Sequence, residues 1–180
     1  MSKPELPIFV EPLKLADRAV LLEGEIALSK LERIRELSLD DSGSFSVSLQ
    51  FAVDEERHRI VKGRVAGSVT LECQRCLQLM QWPVDSNFTL AMVFSDQAAV
   101  ALPRAYEPWL LESHEDVSLI DMIEDEVLLS VPVQASHPEG ECSMPESERP
   151  DSKVEVLQAV DRQEKTNPFS VLAELKNRKP

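Results

Sequence analysis

Between residues 45 and 94 the apolar side chains recur with a period of two, and that period commits the segment to strands. Phe45, Val47, Leu49, Phe51 and Val53 alternate with Ser46, Ser48, Gln50 and Ala52. Successive side chains of a strand point to opposite faces, so one face here is apolar and the other small or polar. Asp54-Glu55-Glu56 follows as a polar turn. The next run sets Val61, Val65, Val69 and Leu71 at odd positions, with Lys62, Arg64, Ser68, Thr70 and Glu72 between them. Gly63 and Gly67 fall on its apolar side, where a bulge or the close approach of another group is expected. A third run places Met80, Trp82, Val84, Phe88, Leu90, Met92 and Phe94 at even positions. Three such runs with short connections predict an antiparallel meander. Its register is fixed, because a slip of one residue would expose every apolar side chain. The expected buried set includes Phe51, Val65, Val69, Phe88 and Leu90, with Ser48, Lys62 and Arg64 on the wetter face.

A sheet with one apolar face needs a cover. Ser29-Lys30-Leu31-Glu32 reads as a capping box, in which the hydroxyl takes an orphan helix amide while the carboxylate reaches back. Leu31, Ile34 and Leu37 then share a helical face. Val20–Ile26 before it reads as a further strand. A second helix is expected to open at Ser118 with Asp121 as its capping partner. Leu119, Ile120, Ile123, Val127 and Leu128 form its apolar stripe, and Asp121, Glu124, Asp125 and Glu126 its hydrated face. Pro132 ends it, having no amide to donate. The fold class is therefore α+β and β-rich: an antiparallel meander packed by two short helices.

Composition changes after Pro132. Residues 134–167 carry eight acids, four bases and three prolines. So little apolar surface cannot offset the entropy of ordering, and the segment reads as disordered. Asn167-Pro168 then opens a short helix, with Phe169, Leu172 and Leu175 on one face as a candidate partner-docking motif. The expected organisation is a globular domain over 1–133, a flexible acidic linker over 134–166 and a helical motif over 167–180.

No apolar run approaches the ~20 residues that span a bilayer. The opening Met1-Ser2-Lys3-Pro4 is followed by no signal-peptide core. Three cysteines make a poor disulfide framework, so a reducing, cytoplasmic setting is expected. The net charge of −13 argues against generic nucleic-acid binding. That charge is unevenly spread. From Arg57 to Arg75 there are five cations, Arg57, Arg59, Lys62, Arg64 and Arg75, against the single anion Glu72. They are a candidate RNA-binding patch or a solvated strand face.

Chemistry is sparse. There is no glycine-rich phosphate loop, and the nucleophile-elbow pattern G-x-S-x-G is absent. His58, His114 and His137 belong to separate elements. The expectation is a protein with no catalytic residue, no small-molecule substrate and no membrane partner. The one sharp motif is Cys73-Gln74-Arg75-Cys76, at the tip between two antiparallel strands. Zinc knuckles hold ligands at such tips, and a structural tetrahedral site needs four. His137 and Cys142 supply two more and leave no cysteine over. The set Cys73, Cys76, His137 and Cys142 is a candidate site for one structural zinc, the alternative being reduced thiols packed as small hydrophobes.

Leu71-Glu72-Cys73-Gln74-Arg75-Cys76 resembles the hallmark of the YceD family, the large ribosomal RNA subunit accumulation proteins. Leu102-Pro103-Arg104-Ala105-Tyr106-Glu107-Pro108, Ile123-Glu124-Asp125-Glu126-Val127-Leu128-Leu129-Ser130-Val131-Pro132 and Asn167-Pro168-Phe169-Ser170-Val171-Leu172 match it in the same order. The resemblance implies a bacterial cytoplasmic protein needed for synthesis, processing or stability of 23S ribosomal RNA, with no established enzymatic activity. Two partner classes stay open. One is large-subunit ribosomal RNA or an assembly intermediate, met through the basic hairpin. The other is a basic ribosomal protein or assembly factor, met through the acidic surface.

Overall fold

A computed structural model describes residues 5–113 and 116–142. The terminal motif with Phe169, Leu172 and Leu175 lies outside the described residues, as does the linker beyond Cys142. The elements, in chain order, are β1 (Phe9–Val10), α1 (Pro12–Asp17), β2 (Leu21–Ala27), α2 (Glu32–Leu37), β3 (Ser44–Val53), β4 (Arg59–Glu72), β5 (Leu79–Val93), α3 (Asp96–Val100), β6 (Glu107–Leu110), β7 (Val117–Ser118) and α4 (Leu119–Ser130). A single 3₁₀ turn, Leu28–Lys30, joins β2 to α2.

The alternating runs form the centre of a five-stranded sheet in the order β2-β3-β4-β5-β6. The first four strands are antiparallel, with Val47 opposite Val65 and Val69 opposite Trp82. β6 adds parallel to β5, with Leu90 opposite Glu107. Its four residues are too short to show a period, and the parallel pairing needs the crossover that carries α3. β1 and β7 make a separate two-stranded pair. Phe51, Val65 and Val69 are fully buried and Phe88 and Leu90 nearly so, while Lys62 and Arg64 are exposed, as the alternation requires. Phe94 departs from the pattern: β5 ends at Val93, and Phe94 is 43% exposed.

Gly63 and Gly67 are places of close approach. A Cβ on Gly63 would lie 2.1 Å from the ring of Phe88, its cross-strand partner, and one on Gly67 would lie 2.5 Å from the ring of Phe45. Two aromatic rings thus lie against the backbone of β4 and fill the space that side chains would otherwise take.

α4 packs across β5 and β4. Ser118 caps it as expected, its hydroxyl accepting from the Asp121 amide at 3.2 Å. Trp82 ties the other end, its indole N–H donating to the Ser130 carbonyl at 2.9 Å. α2 begins differently from the capping-box expectation. Ser29 falls in the 3₁₀ turn, Leu31 holds the N-cap position, and no side chain of α2's own segment caps the helix. The cap comes from α4: Glu124 Oε1 accepts from the amides of Arg33 at 2.7 Å and Ile34 at 3.2 Å. Arg33 Nε donates to the other carboxylate oxygen at 2.7 Å. Glu124 is therefore not on a hydrated face but 4% exposed.

Replacing Gly63 by Ala forces Phe88 off its site above β4. The expected loss is about 1–3 kcal/mol, read as a lower urea midpoint at unchanged slope.

Candidate metal centre

β4 and β5 are joined by residues 73–78. The turn is closed by the Cys73 amide donating to the Gln78 carbonyl at 2.9 Å and the Leu77 amide to the Cys73 carbonyl at 2.8 Å. Leu77 adopts φ 58°, a left-handed conformation that side chains resist, and this tight turn brings both sulfurs to one side. After α4 the chain returns to this tip. Ala135 is buried there, and its carbonyl accepts from the Gln74 amide at 2.9 Å. That bond delivers His137 and Cys142.

The four expected donors converge. Cys73 and Cys142 sulfurs are 3.7 Å apart, Cys76 sulfur lies 3.4 Å from His137 Nδ1, and Cys142 sulfur lies 4.0 Å from the same nitrogen. All four donor atoms lie within 4.8 Å of one another. A tetrahedron with metal–sulfur bonds of ~2.3 Å has sulfur–sulfur edges of about 3.8 Å. The set fits a divalent ion of zinc's size and softness with only small adjustments. Burial opposes ionisation of Cys73, but backbone amides of His137, Cys76 and Arg75 aimed at its sulfur bring it down to about 5. Cys76 is pushed up by burial and by the neighbouring sulfurs of Cys142 and Cys73. The Cys73 thiolate is thus ready at neutral pH, while Cys76 resists ionising unless a cation arrives. Arg75 supplies part of that charge. It lies against Cys142, which holds its guanidinium further up, and its Nη2 donates to the carbonyls of His137 at 3.2 Å and Pro138 at 3.5 Å.

The five basic residues are not brought together. Arg57 sits in the β3–β4 turn at φ 71°, and Arg75 at the opposite end of β4, roughly 40 Å away along an extended strand. Arg59 is held by Asp17 at 2.8 and 3.2 Å, and Arg64 by Asp85 at 2.8 and 3.1 Å. Lys62 and Arg57 make no ion pair among the described residues.

Glu126 is the second correction on α4. It is 6% exposed rather than hydrated, and lies over β5 with the Ser86 hydroxyl 3.5 Å from Oε2. Burial, then the charge of Glu107, push its carboxyl up to about 7. Its spacing could have shown this. Glu126 follows Met122 by four residues and Ile123 by three, so it continues the apolar face.

No helix among the described residues is long and apolar enough to cross a membrane. The family model described as "Large ribosomal RNA subunit accumulation protein YceD" matches residues 61–176, which include all four donors. A Haemophilus influenzae protein described as large ribosomal RNA subunit accumulation protein YceD is 33% identical over 178 residues, covering 99% of this chain and 100% of that relative. No solved structure matches.

The raised carboxyl of Glu126 has a consequence for stability. Its folded value exceeds the ordinary 4.5, so the fold carries no penalty below that pH and an increasing one as pH rises through about 7. Glu126→Gln should be more stable than the parent protein at pH 8 by on the order of 1–3 kcal/mol, and the gap should close by pH 4.5. Thermal melts across that range check it.

Proposed function

The chain belongs to the YceD family of large ribosomal RNA subunit accumulation proteins, and on that premise we propose that it supports accumulation of 23S ribosomal RNA as a non-catalytic, zinc-stabilised binding protein in the cytoplasm. The observation that carries this reading is the convergence of Cys73, Cys76, His137 and Cys142 from segments 61 to 69 residues apart. Three thiolates and an imidazole fill all four positions of a tetrahedral ion. A site closed in this way leaves no position for substrate or water, and suits structure rather than chemistry. Its effect is to clamp the segment after α4 onto the hairpin tip and to fix Arg75 there.

Large-subunit ribosomal RNA in an assembly intermediate is the partner this reading favours. Lys62 and Arg57 are open to phosphate directly. Arg59 and Arg64 are exposed pairs with Asp17 and Asp85. Exposed pairs of this kind contribute about 0–1 kcal/mol, so a phosphate can compete for the guanidinium. Contact would then be spread along β4 and sensitive to salt, with each lost cation lowering the salt slope by about one.

Protein purified without chelator should carry about one zinc per chain, and Cys76→Ser should lose the metal and melt at lower temperature, because ligation is coupled to folding. In cells lacking the protein, the ratio of large- to small-subunit ribosomal RNA should fall and be restored by the parent protein but not by Cys76→Ser. Far less than one zinc per chain would sink the metal reading. An unchanged RNA ratio would sink the functional one.

A further inference from the structure

The two acids that α4 buries are not treated alike. Glu124 is satisfied by two amides and a guanidinium. Glu126 has one long hydrogen bond, from the Ser86 hydroxyl, and no cation within ion-pair distance among the described residues. It lines a cleft of about 330 Å³ between α4 and the edge strand β6. Leu90 and Met122 line the same cleft, with the half-buried indole of Trp109 and a second carboxylate, Glu107. Asp125 borders it too, but Arg33 holds that group at 2.6 Å. What remains unanswered is the charge of Glu107 and Glu126, set above an apolar floor and beside an aromatic face.

We propose that this cleft receives a lysine or arginine side chain from an extended basic segment of a partner protein. The complementarity is specific to such a side chain. A methylene stem covers Leu90 and Met122, the cationic head reaches Glu126 and Glu107, and the indole of Trp109 offers its face to the cation. β6 is the last strand of the sheet among the described residues, so an extended segment can run along its edge while one side chain turns inward. The carboxylates of Glu107 and Glu126 attract such a segment locally, and the protein's net charge of −13 adds to that attraction at longer range. Glu107, Glu126 and the Arg33-paired Asp125 are the titratable groups that line the cleft; Asp121 and Glu124, also on α4, lie outside it, Glu124 being held by the start of α2. Leu90 lines it from β5, and the Ser86 hydroxyl of the same strand reaches Glu126. Binding a cation there favours the ionised form of Glu126.

This goes beyond the function proposed above, and either can fail alone, since zinc loading and RNA ratio do not depend on the cleft. The test is calorimetric titration of the full chain with a short blocked Gly-Lys-Arg-Lys-Gly peptide at pH 8, and with the same peptide carrying norleucine and citrulline at the charged positions. The charged peptide should bind and the neutral one should not. Glu126→Gln and Glu107→Gln should each weaken binding about tenfold, the scale of one lost charge-assisted hydrogen bond. Asp41→Asn, which removes the same charge from the exposed α2–β3 connection, should change it less than about twofold. Between pH 6 and 8 the affinity should rise in the parent protein and stay flat in Glu126→Gln. Glu107→Gln, on the exposed edge strand, keeps the test valid if Glu126→Gln perturbs packing. Equal losses from Asp41→Asn and Glu107→Gln, binding of the neutral peptide, or no binding at all would overturn the assignment. So would a ribosomal RNA fragment whose binding is weakened by Glu107→Gln.

Discussion

A single buried carboxylate joins the helices that cover the sheet. Glu124 reaches from α4 to the first turn of α2, where it accepts from two amides and from the Arg33 guanidinium. A buried charge is tolerable only when its lone pairs are met, and here the orphan donors of a six-residue helix meet them. Each group answers the other's deficit. So short a helix has little stability of its own, so its place depends on this carboxylate and on the burial of Leu31 and Ile34. The position of α4 in turn decides where the chain goes next.

Where it goes is the tip of the β4–β5 hairpin. Pro132 stops α4 after the Trp82 indole has tied the Ser130 carbonyl, and the following residues run back so that Ala135 is buried against Gln74. That return assembles the four donors. The electrostatics of the centre follow from crowding: burial and the neighbouring sulfurs of Cys142 and Cys73 oppose ionisation of Cys76. A bound cation removes the conflict and makes the return of the chain more favourable.

Charge over the rest of the surface is arranged by pairing and by its absence. Two of the five cations read along β4 are answered by the protein's own acids, Asp17 and Asp85. Among the described residues no cation pairs with Glu107 or Glu126. Open anions thus gather on the β6 edge and open cations near the middle of β4 and in its preceding turn. The two sides of the molecule are suited to partners of opposite charge.

The alternation between residues 45 and 94 determined the centre of the sheet, its register and its buried set, because a period of two has only one arrangement that hides every apolar side chain. The two glycines on the apolar side marked close approach, and the rings of Phe88 and Phe45 supply it. The donor set was legible as well, since Cys73 and Cys76 at the hairpin tip, with His137 and Cys142 after α4, make up four ligand-type side chains and leave no cysteine over. Local spacing could not decide pairings between distant segments. Ser29 had a capping partner in sequence, yet the cap of α2 came from Glu124, about ninety residues away, because packing placed a stronger acceptor at the helix start. Of the four acids of α4, Asp121 and Asp125 are exposed as their polarity suggests, whereas Glu124 and Glu126 are buried, and Glu126 continues the helix's apolar face. The five cations are near in sequence, and an extended strand spreads them along its length in space. Sequence determined which faces must be buried; only the tertiary structure decided which charges meet, because charge pairing depends on distances between segments that no local period records.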